Sequence, residues 1–464
     1  MSSHEQTLLI LGASGDLTAR LLLPGLGALV ASGDVGDLLL LGSGSDDWDD
    51  DRWRETVSKS FAAAGLAGAR VDRVAGAARY LTADVTVESD LRRLLDACEG
   101  EPIIYFALPP AVAVNACGAM TGVDLPEGTR LVMEKPFGTD QESAASLNRL
   151  LTSLVPEEQI HRVDHFLGVS TVLNIVGLRF ANRALEPVLN SQHVESVEII
   201  WDESLGLEGR AGYYDHAGAM VDMIQSHLLQ VLSILTMEAP ASLDARNFRD
   251  ETSQILRATR IFDDDPAASS RRARYTAGEI DGRRLPDYAG EPGVDPANRT
   301  ETLAEIVVGV YNWRWSGVPF RLRSGKALGN PRKEAVFTFR QTPHTPDGLD
   351  GTDLPDRLRI GLGFGADTLR LELNINGPGD PRTIEPATLE ASLGAGDLPE
   401  YGEVLKGVLE GDPTLSVRGD AAEQCWRIIE PVRQAWKADQ VPLEQYAAGS
   451  GGPAGWPDDE RPPG

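Results

Sequence analysis

TLLILGASGDLTARLLLPGL, residues 7–26, decides how the first third of the chain is read. A short unbroken apolar run, a glycine turn and then apolar residues at helical spacing predict a buried parallel strand, a loop and a helix. The buried-strand signal returns in VGDLLLLGSGS (35–45), EPIIYFALPP (101–110) and TRLVMEKPFG (129–138), with helical patterns between. Such alternation predicts a doubly wound, Rossmann-like α/β domain over residues 1–168.

Beyond it the texture changes. HVESVEIIWDES (193–204), ETLAEIVVGVYNWRW (301–315), PFRLRSG (319–325), KEAVFTFRQT (333–342) and DTLRLELNI (367–375) are longer and partly alternating. They predict a large, mostly antiparallel sheet with helices in a second α+β domain, 169–464. The polar, Pro- and Gly-rich region 262–300 is expected to be loop, and 446–464 a mobile tail. A chain of 464 residues is in any case too long for one ordinary core.

Composition narrows the partners. A formal net charge of -27 argues against nucleic acid or an anionic membrane surface. Apolar stretches are interrupted before a membrane span would be complete, and the N-terminus lacks a signal-peptide core. Cys98, Cys117 and Cys425 lie far apart without zinc spacing, as expected of reduced thiols in a cytoplasmic protein; no metal site is expected.

GASGD places Gly12, Ser14 and Gly15 at the mouth of a helix, where the backbone can approach a pyrophosphate. The spacing falls short of the full G-x-G-x-x-G pattern, so a plain structural turn stands beside dinucleotide binding. The second strand ends in GSGSDDWDDD (42–51), with no cation before Arg52. A carboxylate there suits a free ribose 2′-hydroxyl, whereas a 2′-phosphate calls for arginine. In RVDHFLGVS (162–170), Asp164 directly precedes His165. Neighbours on a strand face opposite ways, so a carboxylate that orients an imidazole must find its histidine elsewhere. YYDHAGAMVDMIQSHLLQ (213–230) supplies Asp222 and His227, five apart on an apparent helix.

With these stretches in view, the chain resembles the glucose-6-phosphate dehydrogenase family along nearly its full length. The resemblance is carried in order by GASGDL (12–17), FALPP (106–110), EKPFG (134–138), RVDHFLG (162–168), LRFAN (178–182) and GRAGYYD (209–215). It continues through Asp222–Gln230, EPGVDP (291–296), NWRWSGVPF (312–320), SGKAL (324–328) and YAAGSGGP (446–453). It implies that His227 is the base taking the C1 hydroxyl proton, Asp164 its orienting carboxylate and Lys135 a bridge between substrate and nicotinamide. His165 and Arg332 would hold a substrate phosphate, and Glu203, Asp222 and Lys326 the sugar hydroxyls. Gly12, Ser14, Gly15, Asp16, Leu17, Ser45, Asp46, Pro109 and Lys135 would line the cofactor. The family further implies a homodimer or homotetramer.

The departures from the family pattern point one way. Val169 stands for a phosphate-gripping lysine, Phe166 for a tyrosine and Leu21 for a lysine after the nucleotide loop. Val221 replaces an arginine, Ser226 an asparagine, and a sugar-side glutamine is replaced near Phe364; KALGNPRK carries an inserted residue. The arginine expected against a 2′-phosphate falls on Ser45, followed by Asp46. Cations are lost while Asp164, His227 and Lys135 remain. The expectation is an aldose 1-dehydrogenase that prefers NAD, with NADP as the other possibility. Glucose 6-phosphate is the substrate by family, and an unphosphorylated or C6-modified sugar is the alternative. A non-catalytic dinucleotide-binding protein is the reading from another class.

Overall fold

Six strands, β1 (Gln6–Leu11), β2 (Leu38–Gly44), β3 (Arg79–Thr82), β4 (Glu101–Phe106), β5 (Arg130–Glu134) and β6 (Ile160–Val163), form an all-parallel sheet in the computed structural model. Its order, β3-β2-β1-β4-β5-β6, is the doubly wound dinucleotide-binding order. The structure describes residues 5–351, 354–363, 367–377 and 379–456. Phe364, expected near the sugar, lies outside the described residues.

The strands β1 and β2 are buried nearly throughout, which is why their sequences are continuous apolar runs. In parallel register Gln6 faces both Leu38 and Glu101 on the flanking strands. The sequence reading missed β3 and met β6 only as a strand end at residue 162. RYLT is short, and IHRV carries His161 and Arg162, both fully buried yet polar. Arg162 is accommodated because Glu157 accepts from its guanidinium at 2.8 and 3.1 Å and Asn148 Oδ1 accepts at 3.1 Å.

The chain divides into two compact units, and the division is not the contiguous one expected at residue 168. The first unit comprises 1–173 together with the returning segments 238–253 and 396–426. Those returns are fixed inside it: Arg249 pairs with Glu157 at 2.9 Å, and Asn148 donates to the Gly419 carbonyl at 2.8 Å. The helix Glu400–Glu410 lies on the helix Leu23–Ser32, where a Cβ at Gly25 would come within 2.7 Å of Tyr401 Cβ. Tyr401, Val404 and Leu405 thereby join the core beneath the sheet.

The second unit (174–237, 254–395, 427–464) is built on an eleven-stranded sheet. Its strands are β7 (Val194–Asp202), β8 (Thr259–Ile261), β9 (Ser270–Thr276), β12 (Leu303–Val310), β13 (Pro319–Gly325), β14 (Lys333–Phe339), β15 (Asp350–Gly351), β16 (Arg357–Gly361), β17 (Asp367–Asn376), β18 (Thr383–Leu393) and β19 (Leu443–Ala447). A separate hairpin pairs β10 (Gly278–Ile280) with β11 (Arg283–Leu285). Most pairs in the large sheet are antiparallel; β7–β13, β9–β19 and β15–β18 are parallel.

Three expectations are corrected here. The region 262–300 is not all loop, since SRRARYT forms β9 inside the sheet. Its arginines hid the alternation: Arg272 is buried because the carbonyls of Val441 and Trp436 accept from its guanidinium. The expected mobile tail is, from Tyr446 to Trp456, packed structure. Tyr446 and Trp456 are buried, and Gly449 N–H donates to the Ala327 carbonyl at 2.9 Å. Finally, Ala211–Thr236 is long and apolar enough by composition to cross a membrane, yet 83% of its apolar window is buried inside the protein. It also holds the charged Asp222, as an enclosed core helix can.

Candidate active site

The first unit presents the nucleotide loop at the carboxyl end of β1. Gly12 adopts φ 88°, and a side chain there would run into the Ala107 carbonyl. Its N–H and that of Ala13 donate to the Ser43 carbonyl, binding the turn to the end of β2. Gly15 N–H closes the turn onto the Gly12 carbonyl at 3.0 Å. Bare backbone followed by a helix is the arrangement that accepts a pyrophosphate, so these residues fit a dinucleotide. Asp16 pairs with Arg20 on the surface, Leu17 is partly buried, and Leu21 is 48% exposed.

At the end of β2 the charges are set. Ser45 is exposed, and Asp46 Oδ2 accepts from Ser14 Oγ at 2.5 Å. The Asp46 carbonyl accepts from Tyr80 Oη at 3.2 Å. Burial, and then the Asp46 charge, push the Tyr80 hydroxyl up to about 12, so it stays a neutral donor. Arg52, the nearest cation in sequence, has its guanidinium 4.5 Å from the centre of the Trp48 ring.

Pro109 caps the helix Pro110–Met120 that follows β4, and the Lys135–Pro136 peptide after β5 is cis. Just before it, Glu134 accepts from the hydroxyls of Tyr105 and Tyr401. Burial raises its carboxyl to about 7 against those hydrogen bonds and the Lys135 charge. The sequence reading missed this group, because Tyr401 arrives from the far end of the chain. Tyr401 also stacks on the His165 ring, centroids 5.6 Å apart and planes 14° from parallel. Asp164 does not sit on a strand as expected: β6 stops at Val163, and Asp164 caps a single 3₁₀ turn, accepting from Phe166 N–H at 3.0 Å. Phe166 and Val169 are buried.

The second unit holds Glu203, Asp222, His227, Lys326 and Arg332. Lys326 Nζ reaches Glu203 Oε2 at 2.5 Å and stands 5.2 Å from the centre of the Tyr214 ring. Asp222 Oδ1 accepts from Tyr213 Oη at 3.4 Å. Asp222 and His227 both lie on Met220–Leu228, a π-helical stretch within the apolar run. On an α-helix residues five apart diverge by about 140°. The wider i→i+5 turn brings them toward one face, and such stretches concentrate at functional sites. Arg332, proposed for phosphate, is engaged by Glu334 at 2.7 Å and Glu198 at 3.9 Å.

Comparison with known proteins matches the chain in two consecutive parts. Residues 9–174 match the family model described as glucose-6-phosphate dehydrogenase, NAD binding domain, and 176–458 match its C-terminal domain. The chain is 38% identical over 462 residues to glucose-6-phosphate 1-dehydrogenase of Gluconobacter oxydans, covering 96% of this chain and 94% of that one. The Treponema pallidum enzyme of that name is 37% identical over 480 residues, covering 96% and 92%. A crystal structure of the Mycobacterium avium protein superposes with TM-score 0.85 at 31% identity, covering 97% of this chain and 96% of that one. A glucose-6-phosphate dehydrogenase in complex with glucose-6-phosphate gives 0.85 at 27% identity, covering 98% and 97%.

Proposed function

The chain belongs to the glucose-6-phosphate dehydrogenase family, and on that premise we propose that it oxidises C1 of an aldopyranose to the lactone with NAD as the preferred acceptor. Glucose 6-phosphate is the substrate taken from the family. The nicotinamide, when bound, receives the C1 hydride. His227 takes the C1 hydroxyl proton, and Asp164 orients the imidazole and stabilises the imidazolium as it forms. Lys135 holds substrate against cofactor, while Lys326, Glu203 and Asp222 bind ring hydroxyls. The Lys326–Glu203 pair supports this assignment, since it presents a buried ammonium and a carboxylate together.

The observation that carries the cofactor preference is the Ser14–Asp46 contact. It supports the preference, because a carboxylate held beside the nucleotide loop would accept from a free ribose 2′-hydroxyl and repel a 2′-phosphate. A second substrate reading, a sugar without the 6-phosphate, is favoured by the burial of apolar Phe166 and Val169 beside His165. Both readings are tested by following dinucleotide reduction with glucose 6-phosphate and free aldoses, each with NAD and with NADP. Dinucleotide binding without turnover on any aldose would leave the non-catalytic alternative. Assembly as a homodimer or homotetramer belongs to the same family reading, and light scattering checks it.

A further inference from the structure

The apolar run that carries Asp222 and His227 is broken at Gly218, which adopts φ 65° and ψ 176°. Helix resumes immediately, so its first N–H groups need acceptors. One residue supplies two. The Glu301 carbonyl accepts from Ala219 N–H at 3.3 Å, and Glu301 Oε1 accepts from Met220 N–H at 3.0 Å. A side chain at Gly218 would run into the Glu301 carboxyl, so the glycine makes room for the acid that caps the helix. Glu301 is 8% exposed and stands just ahead of β12.

We propose that Glu301 is a positioning residue for the proton-transfer step: its buried carboxylate caps the restarted helix and sets the register in which Asp222 and His227 are presented. The proposal rests on the reading of His227 as the base. A carboxylate suits a helix N-terminus, and a neutral carboxyl holds the N–H less strongly. Its charge state is therefore part of the device. Burial raises the Glu301 carboxyl to about 7, opposed by the Met220 N–H and by the charges of Arg272 on β9 and Arg433. Tyr214, from the helix before the break, and Tyr288 also lie within electrostatic reach of it, and Tyr214 feels Asp222 as well. Across neutral pH the two phenols, raised by burial, stay neutral, and Glu301 is the group here whose charge changes. Deprotonation tightens the cap; protonation slackens it.

Glu301→Gln keeps the shape of the acid and mimics its protonated form. The expected result is a kcat ratio of parent to variant near one at pH 6, rising to about tenfold at pH 8, with unchanged KM for NAD. A pH-independent ratio would mark a merely structural cap and overturn the proposal. Hydrogen exchange of the parent protein gives a second reading that needs no variant. The amides of 219–228, corrected for intrinsic rates, should be better protected at pH 8 than at pH 6, and equal protection would also overturn it. Failure of the base assignment is read separately, from turnover by His227→Asn.

Discussion

Ser14 Oγ donates to Asp46 Oδ2, so the glycine turn after β1 and the acidic end of β2 are held as one surface. The proposed cofactor preference rests on this surface. NAD should exceed NADP by at least about tenfold in kcat/KM, because a 2′-phosphate at the end of β2 would face the Asp46 carboxylate while Arg52 is engaged over Trp48. Ser45→Arg combined with Asp46→Ala should narrow or reverse the preference. Steady-state kinetics with both dinucleotides check this, and a parent enzyme that prefers NADP would refute it.

His227→Asn should lower kcat by about 10²- to 10⁴-fold, the usual worth of a general base. Dinucleotide affinity, measured by fluorescence titration, should stay within about twofold. Full turnover by the variant would remove the assignment.

The surroundings of His165 set the third expectation. Val169 is 2% exposed and Phe166 3%, so the side chains that replace two polar ones are packed away from water. Discrimination in favour of glucose 6-phosphate over glucose should be weak for a family member. Val169→Lys should improve kcat/KM for the phosphorylated sugar by about tenfold or more while leaving glucose unchanged. Burying part of a lysine stem and charge there should also lower Tm by several degrees, roughly the effect of 1–2 kcal/mol. A parent enzyme with micromolar KM for glucose 6-phosphate and no activity on glucose would contradict the premise.

His161 makes stability fall in mild acid. Its ring is fully buried, with Nδ1 3.2 Å from Ser416 Oγ, and burial together with Arg130 and Arg249 pushes it down to about 3. The unfolded chain takes up this proton near 6.5, so stability is full above that pH and declines as pH drops toward 3. At pH 5 the loss attributable to this group should be about 2 kcal/mol relative to pH 7. Urea midpoints at the two pH values, for the parent and for His161→Asn, measure it. The variant should lose less between them.

What could be read from sequence, and what could not, follows from how charge is buried. β1, β2, β4 and β5 announce themselves because both faces are covered and their residues are apolar. β6 and β9 do not, because Arg162 and Arg272 are buried charges whose partners lie outside their own strands, Glu157 and Asn148 for one and the far-off Val441 and Trp436 carbonyls for the other. The proposed site residues were picked out one by one, through their motifs. Their supports were not. Nothing local to Glu134 predicts Tyr401, nothing local to Met220 predicts Glu301, and the π-helical winding that turns Asp222 toward the face of His227 has no periodic signature.

The packed segment 446–456 bears on the order in which the second unit is completed during synthesis. Tyr446 Oη donates to the carbonyl of Lys326 at 2.6 Å, and Gly449 N–H to that of Ala327, so the last described residues brace the backbone under a lysine made more than a hundred residues earlier, the one proposed to bind the sugar. The first unit is completed a little earlier, once the segment 396–426 has returned to it. The backbone at Lys326 lacks this brace until residues 446 to 449 have been made. Products of premature termination, or of trimming by a carboxypeptidase past Tyr446, would thus keep an intact nucleotide loop while the lysine beside Glu203 lacked its brace.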